Sequence, residues 1–303
     1  MANIEAPVAL FVYNRLSHTK KTLTALAKNH GAASTALTIF CDGPKENSSN
    51  KDILEVRAFV KGIQGFKSVE VIESIENKGL AKSIIDGVSH MMANYGHAIV
   101  IEDDLVTSPY FLRFMNEGLE KYRADDRVIS IHGYVYPTKR TLPETFFIRG
   151  ADCWGWATWS RGWQLFEANG EKLLAELQRR KLIKNFDFNN SYGYTEMLKK
   201  QIAGKTSSWA IRWNASAFIA GRLTLYPGMS LVENIGTDGS GTNCDPSNEF
   251  HVELSNEHIH LTDIPVEDNK AARSAFEEYF LSLRPSLWSR IKNKLTAFPL
   301  KRI

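Results

Sequence analysis

The chain of 303 residues carries little cysteine: Cys41, Cys153 and Cys244, three in all, widely spaced and with no CxxC pair. A disulfide framework and a cysteine-based zinc site are therefore not expected, and a reducing compartment is. No apolar run approaches the ~20 residues of a membrane span. No basic stretch leading into an apolar run follows Met1, so no secretory signal is expected. The formal net charge of +3 is too small to argue for nucleic acid as a partner. Internal repeats and low-complexity segments are missing. Glycine cradles are missing too: neither GxGxxG nor GxxxxGK[ST] follows the first strand-like segment. Dinucleotide-binding and P-loop readings are weak without them. A phosphate-bearing ligand would need some other counter-charge.

What the chain does have is Ala98-Ile99-Val100-Ile101 running straight into Glu102-Asp103-Asp104. A continuous apolar run of this kind reads as a strand buried on both faces of a parallel sheet. The end of such a strand is where open α/β sheets place ligands. Three adjacent carboxylates are costly to desolvate without a partner. Hard oxygen ligands at a strand end suit Mg²⁺ or Mn²⁺, so a metal held by Asp103 and Asp104 would supply the missing counter-charge. The plain alternative is a solvated acidic turn.

The flanking chain alternates strand and helix. Pro7–Tyr13, Leu37–Cys41, Val69–Ile72 and Val128–Ile131 read as strands. Helices are expected after Ser17 as an N-cap, at 53–60, 80–92 and 109–122. This alternation calls for parallel βαβ units. It places four polar turns, at Asn14-Arg15, Asp42-Gly43, Asn77-Lys78 and Glu102–Asp104, on one carboxyl edge of the sheet. Beyond Gly133 the alternation fades. Trp154, Trp156, Trp159 and Trp163 crowd into ten residues. Helices are expected near 171–181, 194–202 and 209–220, with a strand at 223–227. A glycine-rich loop from Asn234 to Cys244 contains Asp238.

These residues resemble the metal-dependent glycosyltransferases of the GT-A fold. More narrowly they look like bacterial sugar transferases akin to the N-acetylglucosaminyltransferase that starts complex N-glycans. The likeness rests on Tyr13-Asn14-Arg15, on Glu102-Asp103-Asp104 followed by Ser108-Pro109-Tyr110-Phe111, and on Ile129-Ser130-Ile131. Gly155-Trp156 and Leu225-Tyr226-Pro227 with Asn234-Ile235-Gly236 continue it, so that it spans Pro7 to Cys244. The resemblance implies an α/β fold with a mostly parallel, Rossmann-like sheet flanked by helices. Residues 1–135 would form the nucleotide-sugar-binding half, 136–262 the acceptor side of the same domain, and 263–303 a helical basic tail.

It also implies roles. Asp104 would be the main Mn²⁺ or Mg²⁺ ligand and bridge to the donor diphosphate, with Asp103 beside it on the metal and the donor sugar or ribose. Glu102 would face the ribose or nucleotide. Asp42 would contact base or ribose, Asn14 and Arg15 would line that pocket, and Lys78 would lie near the ribose. The donor would be a nucleotide-diphosphate sugar, a UDP-sugar first among them. The acceptor would be a glycan or lipid-linked oligosaccharide of the bacterial envelope, and the location the cytoplasm or the inner membrane face.

One departure stands out. Where the eukaryotic relative has paired aspartates, one of them the general base, this chain has Ala210 and Ile211. Asp238, Asp152 and Glu196 are the alternative bases, with Asp238 favoured for its glycine-rich loop. Trp156 is the first candidate for stacking on an acceptor sugar, a core role being its alternative. Arg212 could anchor phosphate or pair with an acid. The C-terminal Leu287, Ile291 and Leu295, four apart among basic residues, suit either an interfacial helix on an anionic membrane or a helix docked on the domain. Two rival functions remain: a nucleotidyltransferase, and an inactive glycan- or nucleotide-binding module.

Overall fold

The computed structural model describes residues 5–45, 50–239 and 248–284. In chain order they form β1 (Val8–Val12), α1 (Leu16–Ala27), β2 (Ala36–Cys41), α2 (Lys51–Val60), β3 (Ser68–Glu73), α3 (Leu80–Tyr95), β4 (His97–Glu102) and β5 (Leu105–Thr107). There follow α4 (Phe111–Lys121), β6 (Val128–His132), β7 (Thr145–Arg149), β8 (Trp156–Trp159), α5 (Ser160–Trp163) and α6 (Gly170–Arg179). The rest are α7 (Ile183–Phe186), α8 (Tyr194–Ile202), α9 (Ala210–Ile219), β9 (Leu223–Pro227), β10 (Val232–Asn234) and α10 (Lys270–Ser282).

The fold is α/β, with a mostly parallel sheet flanked by helices, as the sequence pattern and the resemblance both imply. Eight strands lie in the order β3-β2-β1-β4-β8-β6-β9-β7. β1, β2, β3 and β4 are mutually parallel where they pair, and so are β6 and β9. β8 runs antiparallel to both β4 and β6, and β7 antiparallel to β9. Val8 to Val12 and Ala98 to Ile101 are buried throughout, as continuous apolar runs at the sheet centre require. β3, at the edge, alternates between exposed and half-buried positions.

β8 is the element the sequence pattern hides. It lies inside the tryptophan run and is buried at every position, so it carries no polar alternation to mark it as a strand. Trp156 has no exposed surface. Its ring packs against Trp163, Trp209 and Trp213 at centroid distances of 5.9, 5.6 and 5.6 Å. The expectation that Trp156 stacks on an acceptor is thereby corrected: a strand between two buried strands points this side chain into the core under α9. Trp154, two residues before β8, is the half-buried member, set against Tyr134 and Phe250 at 4.8 and 5.6 Å.

The two ends of the chain need adjustment as well. α1 begins at Leu16, with Arg15 at the cap position and no side-chain cap, so Ser17 is the second helical residue rather than the N-cap. Part of the expected tail is α10, capped by Asn269 and docked through Phe276 and Phe280 on Tyr136. The basic segment with Leu287, Ile291 and Leu295 lies outside the described residues. No described helix is long and apolar enough to cross a membrane.

Trp156→Ala should cost about 3–5 kcal/mol, the usual range for emptying a fully buried aromatic site. Trp156→Phe should cost clearly less. Denaturant unfolding measures both; a Trp156→Ala variant of wild-type stability would contradict the core assignment.

Candidate donor and acceptor site

Parallel strands deliver their following turns to one edge, and there the polar residues meet in two groups. The first forms around Asp42, just past β2. Its Oδ1 accepts the Gly43 and Lys78 N–H groups, each at 2.8 Å. Its Oδ2 accepts the Gly79 N–H at 2.9 Å and the Asn77 amide at 3.1 Å. Lys78 and Gly79 immediately precede α3, so the carboxylate satisfies N–H groups at a helix start, where negative charge is favoured. Asp42 therefore ties the turn after β2 to the turn after β3. A cavity of about 280 Å³ opens beside it, lined by Phe40, Asp42, Ile72, Ser74, Lys78 and His90 among others. Lys78 reaches Asp86 at 3.1 Å on the rim. Asn14 is exposed.

The second group is the acidic turn between β4 and β5. Arg15, arriving from the end of β1, places a single atom, Nη2, 2.5 Å from Asp103 Oδ1 and 2.7 Å from Asp104 Oδ2. Thr22 on α1 donates to the Asp103 carbonyl at 2.8 Å. β5 pairs with β10, and past that ribbon the Ile235 N–H donates to the Asp104 carbonyl at 2.9 Å. Gly236 sits so close that a Cβ there would fall 2.2 Å from Asp104 Oδ2. Only glycine lets the backbone approach this carboxylate.

Burial governs the electrostatics of this turn. Desolvation first, then the neighbouring Asp104 and Asp103 charges, push the Glu102 carboxyl up to about 8. Burial also pushes Asp103 up, to about 6, against the attraction of Arg15. The Arg15 guanidinium is held more firmly charged than usual by the two aspartates, which outweigh its own burial. Among the described residues, no group of three or more His, Cys, Asp or Glu side chains converges as a preformed metal cage. Asp103 and Asp104 do converge, on the position of Arg15 Nη2. Two carboxylates with the remaining coordination left to phosphate and water is a donor set that Mg²⁺ accepts. The pair alone would fill only part of such an ion's coordination.

The three candidate bases separate clearly. Asp152 precedes β8, and β8 runs against its neighbours, so the turn before it reaches the same edge as Glu102–Asp104. The Tyr136 hydroxyl donates to Asp152 Oδ2 at 2.8 Å and the Cys153 N–H to Oδ1 at 2.9 Å. The Tyr194 hydroxyl lies 3.4 Å from the Tyr136 hydroxyl, and His132 Nε2 is 3.9 Å from Asp152 Oδ2. His132 is fully buried and held neutral, its pKa lowered to about 4 mainly by desolvation. Burial raises the Cys153 thiol most, followed by the charges of Asp152, Glu102 and Asp104, so this residue is within electrostatic range of both acid groups.

Asp238 is half exposed and lies 3.1 Å from His18 Nε2, on the α1 side of the acidic turn. Glu196 is exposed on α8 and pairs with Lys199 at 2.7 Å; no described contact joins it to the acidic turn. Arg212 donates to the Ser208 and Ala168 carbonyls.

Tyr136 and His18 were not among the expected site residues. His18 is three residues after Arg15, a spacing that puts both on one helical face once the helix start is known. Tyr136 carries no comparable signal, because it lies in the irregular stretch between β6 and β7.

No family model matches the sequence, and no curated protein matches it. Partial likenesses to solved structures exist. A Pyrobaculum calidifontis mannosyltransferase in complex with GDP-Man and Mn²⁺ is 15% identical, with a TM-score of 0.33, covering 44% of this chain and 36% of that one. Residues 1–349 of S. aureus TarS are 11% identical at a TM-score of 0.36, covering 52% and 48%. A UDP-glucose pyrophosphorylase complexed with UDP-glucose is 12% identical at a TM-score of 0.30, covering 53% and 79%. The chain thus spans about a third of the mannosyltransferase and about half of the TarS fragment.

The Glu102 shift sets a pH dependence for the free protein. Its folded pKa lies above the ordinary value of 4.5. Between about 4.5 and 8 the folded state therefore keeps a proton that the unfolded state has released, and stability falls as pH rises through that window. Glu102→Gln should flatten this slope and raise the melting temperature at pH 8. Melting curves from pH 5 to 8.5 that coincide for the two proteins would contradict it.

Proposed function

We propose that this protein is a metal-dependent glycosyltransferase that moves a sugar from a nucleotide-diphosphate donor to a glycan or lipid-linked acceptor. The observation that carries the reading is the convergence of Asp103 and Asp104 on one cationic position at the carboxyl edge of a parallel sheet, the edge on which Asp42 and its cavity also lie. A bound Mn²⁺ or Mg²⁺ would neutralise the charge that develops on the leaving diphosphate. Asp104 and Asp103 would hold it, and Glu102 would face the nucleotide. The nucleoside would enter the cavity between β2, β3 and α3, with Lys78 at its rim. Asp42 would act there by fixing the two turns that shape the cavity, since its oxygens are taken by N–H groups.

Asp152 is the carboxylate best placed to take the acceptor hydroxyl proton. Its two oxygens are oriented by Tyr136 and the Cys153 N–H, and it stands across from the metal-binding turn. Trp154, half-buried and backed by the buried Tyr134, would offer the acceptor an aromatic face at that end. Asp238, engaged by His18, would instead secure the segment after β10 over the donor. The nucleotidyltransferase alternative would call for a glycine- and lysine-rich phosphate loop after β1, and Asn14-Arg15-Leu16-Ser17 is not one.

Calorimetry with UDP and GDP, each with and without Mn²⁺, tests the donor site. One of them should bind, and more tightly with metal; no binding by either would refute the transferase reading. Asp104→Ala should abolish the metal-dependent part of that binding while the protein stays folded.

Asp152→Asn should keep donor binding and lower the transfer rate by roughly 10²–10⁴-fold, the usual worth of a general base. Asp238→Asn should weaken donor binding instead. Full turnover by Asp152→Asn would remove it as the base.

A further inference from the structure

Asp103 and Asp104 meet at a guanidinium, not at solvent. Both bonds end on the same Arg15 nitrogen, at 2.5 and 2.7 Å. Arg15 is only 20% exposed at its side chain, and Asp103 and Asp104 only 8% and 17%. The pairing is therefore shielded from the screening that makes surface ion pairs nearly worthless. A divalent ion bonded to these same two oxygens would lie within bonding distance of Nη2, and two cations do not share that space. Metal entry and the Arg15 bridge exclude each other.

We propose that Arg15 is an internal counter-cation that keeps Mn²⁺ or Mg²⁺ off Asp103 and Asp104 until a nucleoside diphosphate arrives, and that it then transfers its grip to the diphosphate. This rests on the donor-site reading above and adds the order in which its parts assemble. The chemistry of exchange is balanced. The two carboxylates trade one monovalent partner for a divalent one. The released guanidinium has a planar fork suited to phosphate oxygens, so the ligand that brings the metal also gives Arg15 a new partner. No bond is made or broken other than coordination and hydrogen bonds. Removing Arg15 would leave two buried carboxylates facing each other, which is an unfavourable arrangement that a metal relieves. Mn²⁺ alone should therefore bind the native protein weakly and a variant without the guanidinium much better.

The paramagnetic resonance signal of free Mn²⁺ reads this directly, without turnover. In wild-type protein, UDP or GDP, whichever binds, should tighten Mn²⁺ at least tenfold. In Arg15→Gln, Mn²⁺ alone should bind at least tenfold tighter than in wild type, and the nucleotide should add correspondingly less. Unchanged or weaker Mn²⁺ affinity in a folded Arg15→Gln protein overturns the proposal. Should that variant not fold, the wild-type measurement decides: independent binding of Mn²⁺ and nucleotide overturns it as well. Nucleotide that binds equally well in EDTA would keep the donor site and overturn the exchange. Absence of nucleotide binding under every condition would instead remove the transferase reading, while the Mn²⁺ comparison between the two proteins still stands alone.

Discussion

Carboxylates cannot be buried side by side without a cation, and this molecule answers that constraint with Arg15. β4 must be apolar to sit at the centre of the sheet, and its following turn must be acidic if it is to hold a metal and a diphosphate. Those two demands push three acids against a hydrophobic interior. Arg15 meets them from the adjacent strand, because β1 pairs with β4 in parallel and the two strands end together. The contact therefore depends on the register Phe11↔Glu102. A slip of one residue would turn one strand over relative to the other and separate the charges. The acidic turn, the β5–β10 ribbon and the glycine at position 236 are all arranged around carboxylates whose positions that register sets.

Much of this was legible in the sequence, for physical reasons that differ from element to element. β1 is a fully buried apolar run, β2 and β4 are largely so, and all three have polar stops, while α3 has apolar residues at helical spacing, so both kinds of element show their period directly. The convergence of four polar turns followed from parallel alternation alone, and two contacts now join them in pairs: Asp42 with Asn77–Gly79, and Arg15 with Asp103 and Asp104. β5 and β10 could not be read, being three residues each, too short for any period to register. β8 escaped because burial on both faces removes alternation, and its tryptophans suggested a binding surface. The same burial is why Trp156 is core and the half-buried Trp154 is not. Asp152 could be nominated from sequence but not ranked, since only the antiparallel direction of β8 brings its turn to the ligand edge. Glu196, nominated on chain order, stands on an exposed helix face paired with Lys199.

The two carboxylate groups of the site are built in opposite ways. Asp42 is satisfied by backbone N–H groups at a helix start, so its charge is spent on shaping turns. Asp103 and Asp104 are instead paired with a single side chain, the Arg15 guanidinium. Asp152 takes an intermediate form, held by a phenol and one N–H but still partly open at its edge.

The direction of β8 has a mechanical corollary. That strand is hydrogen-bonded on one side to β4, which carries the acidic turn, and on the other to β6, which leads toward Tyr136. The acidic turn and the Asp152–Tyr136 group are thus stitched into one ladder and cannot hinge apart without breaking it. Whatever adaptation accompanies substrate must be small in amplitude and local. It falls to side chains such as Arg15 and to the stretch from Asn234 to Asp238, whose Ile235 N–H hangs on the carbonyl of Asp104 itself. A displacement of that stretch pulls on the acidic turn, so moving the segment after β10 and adjusting the carboxylates would be a single movement.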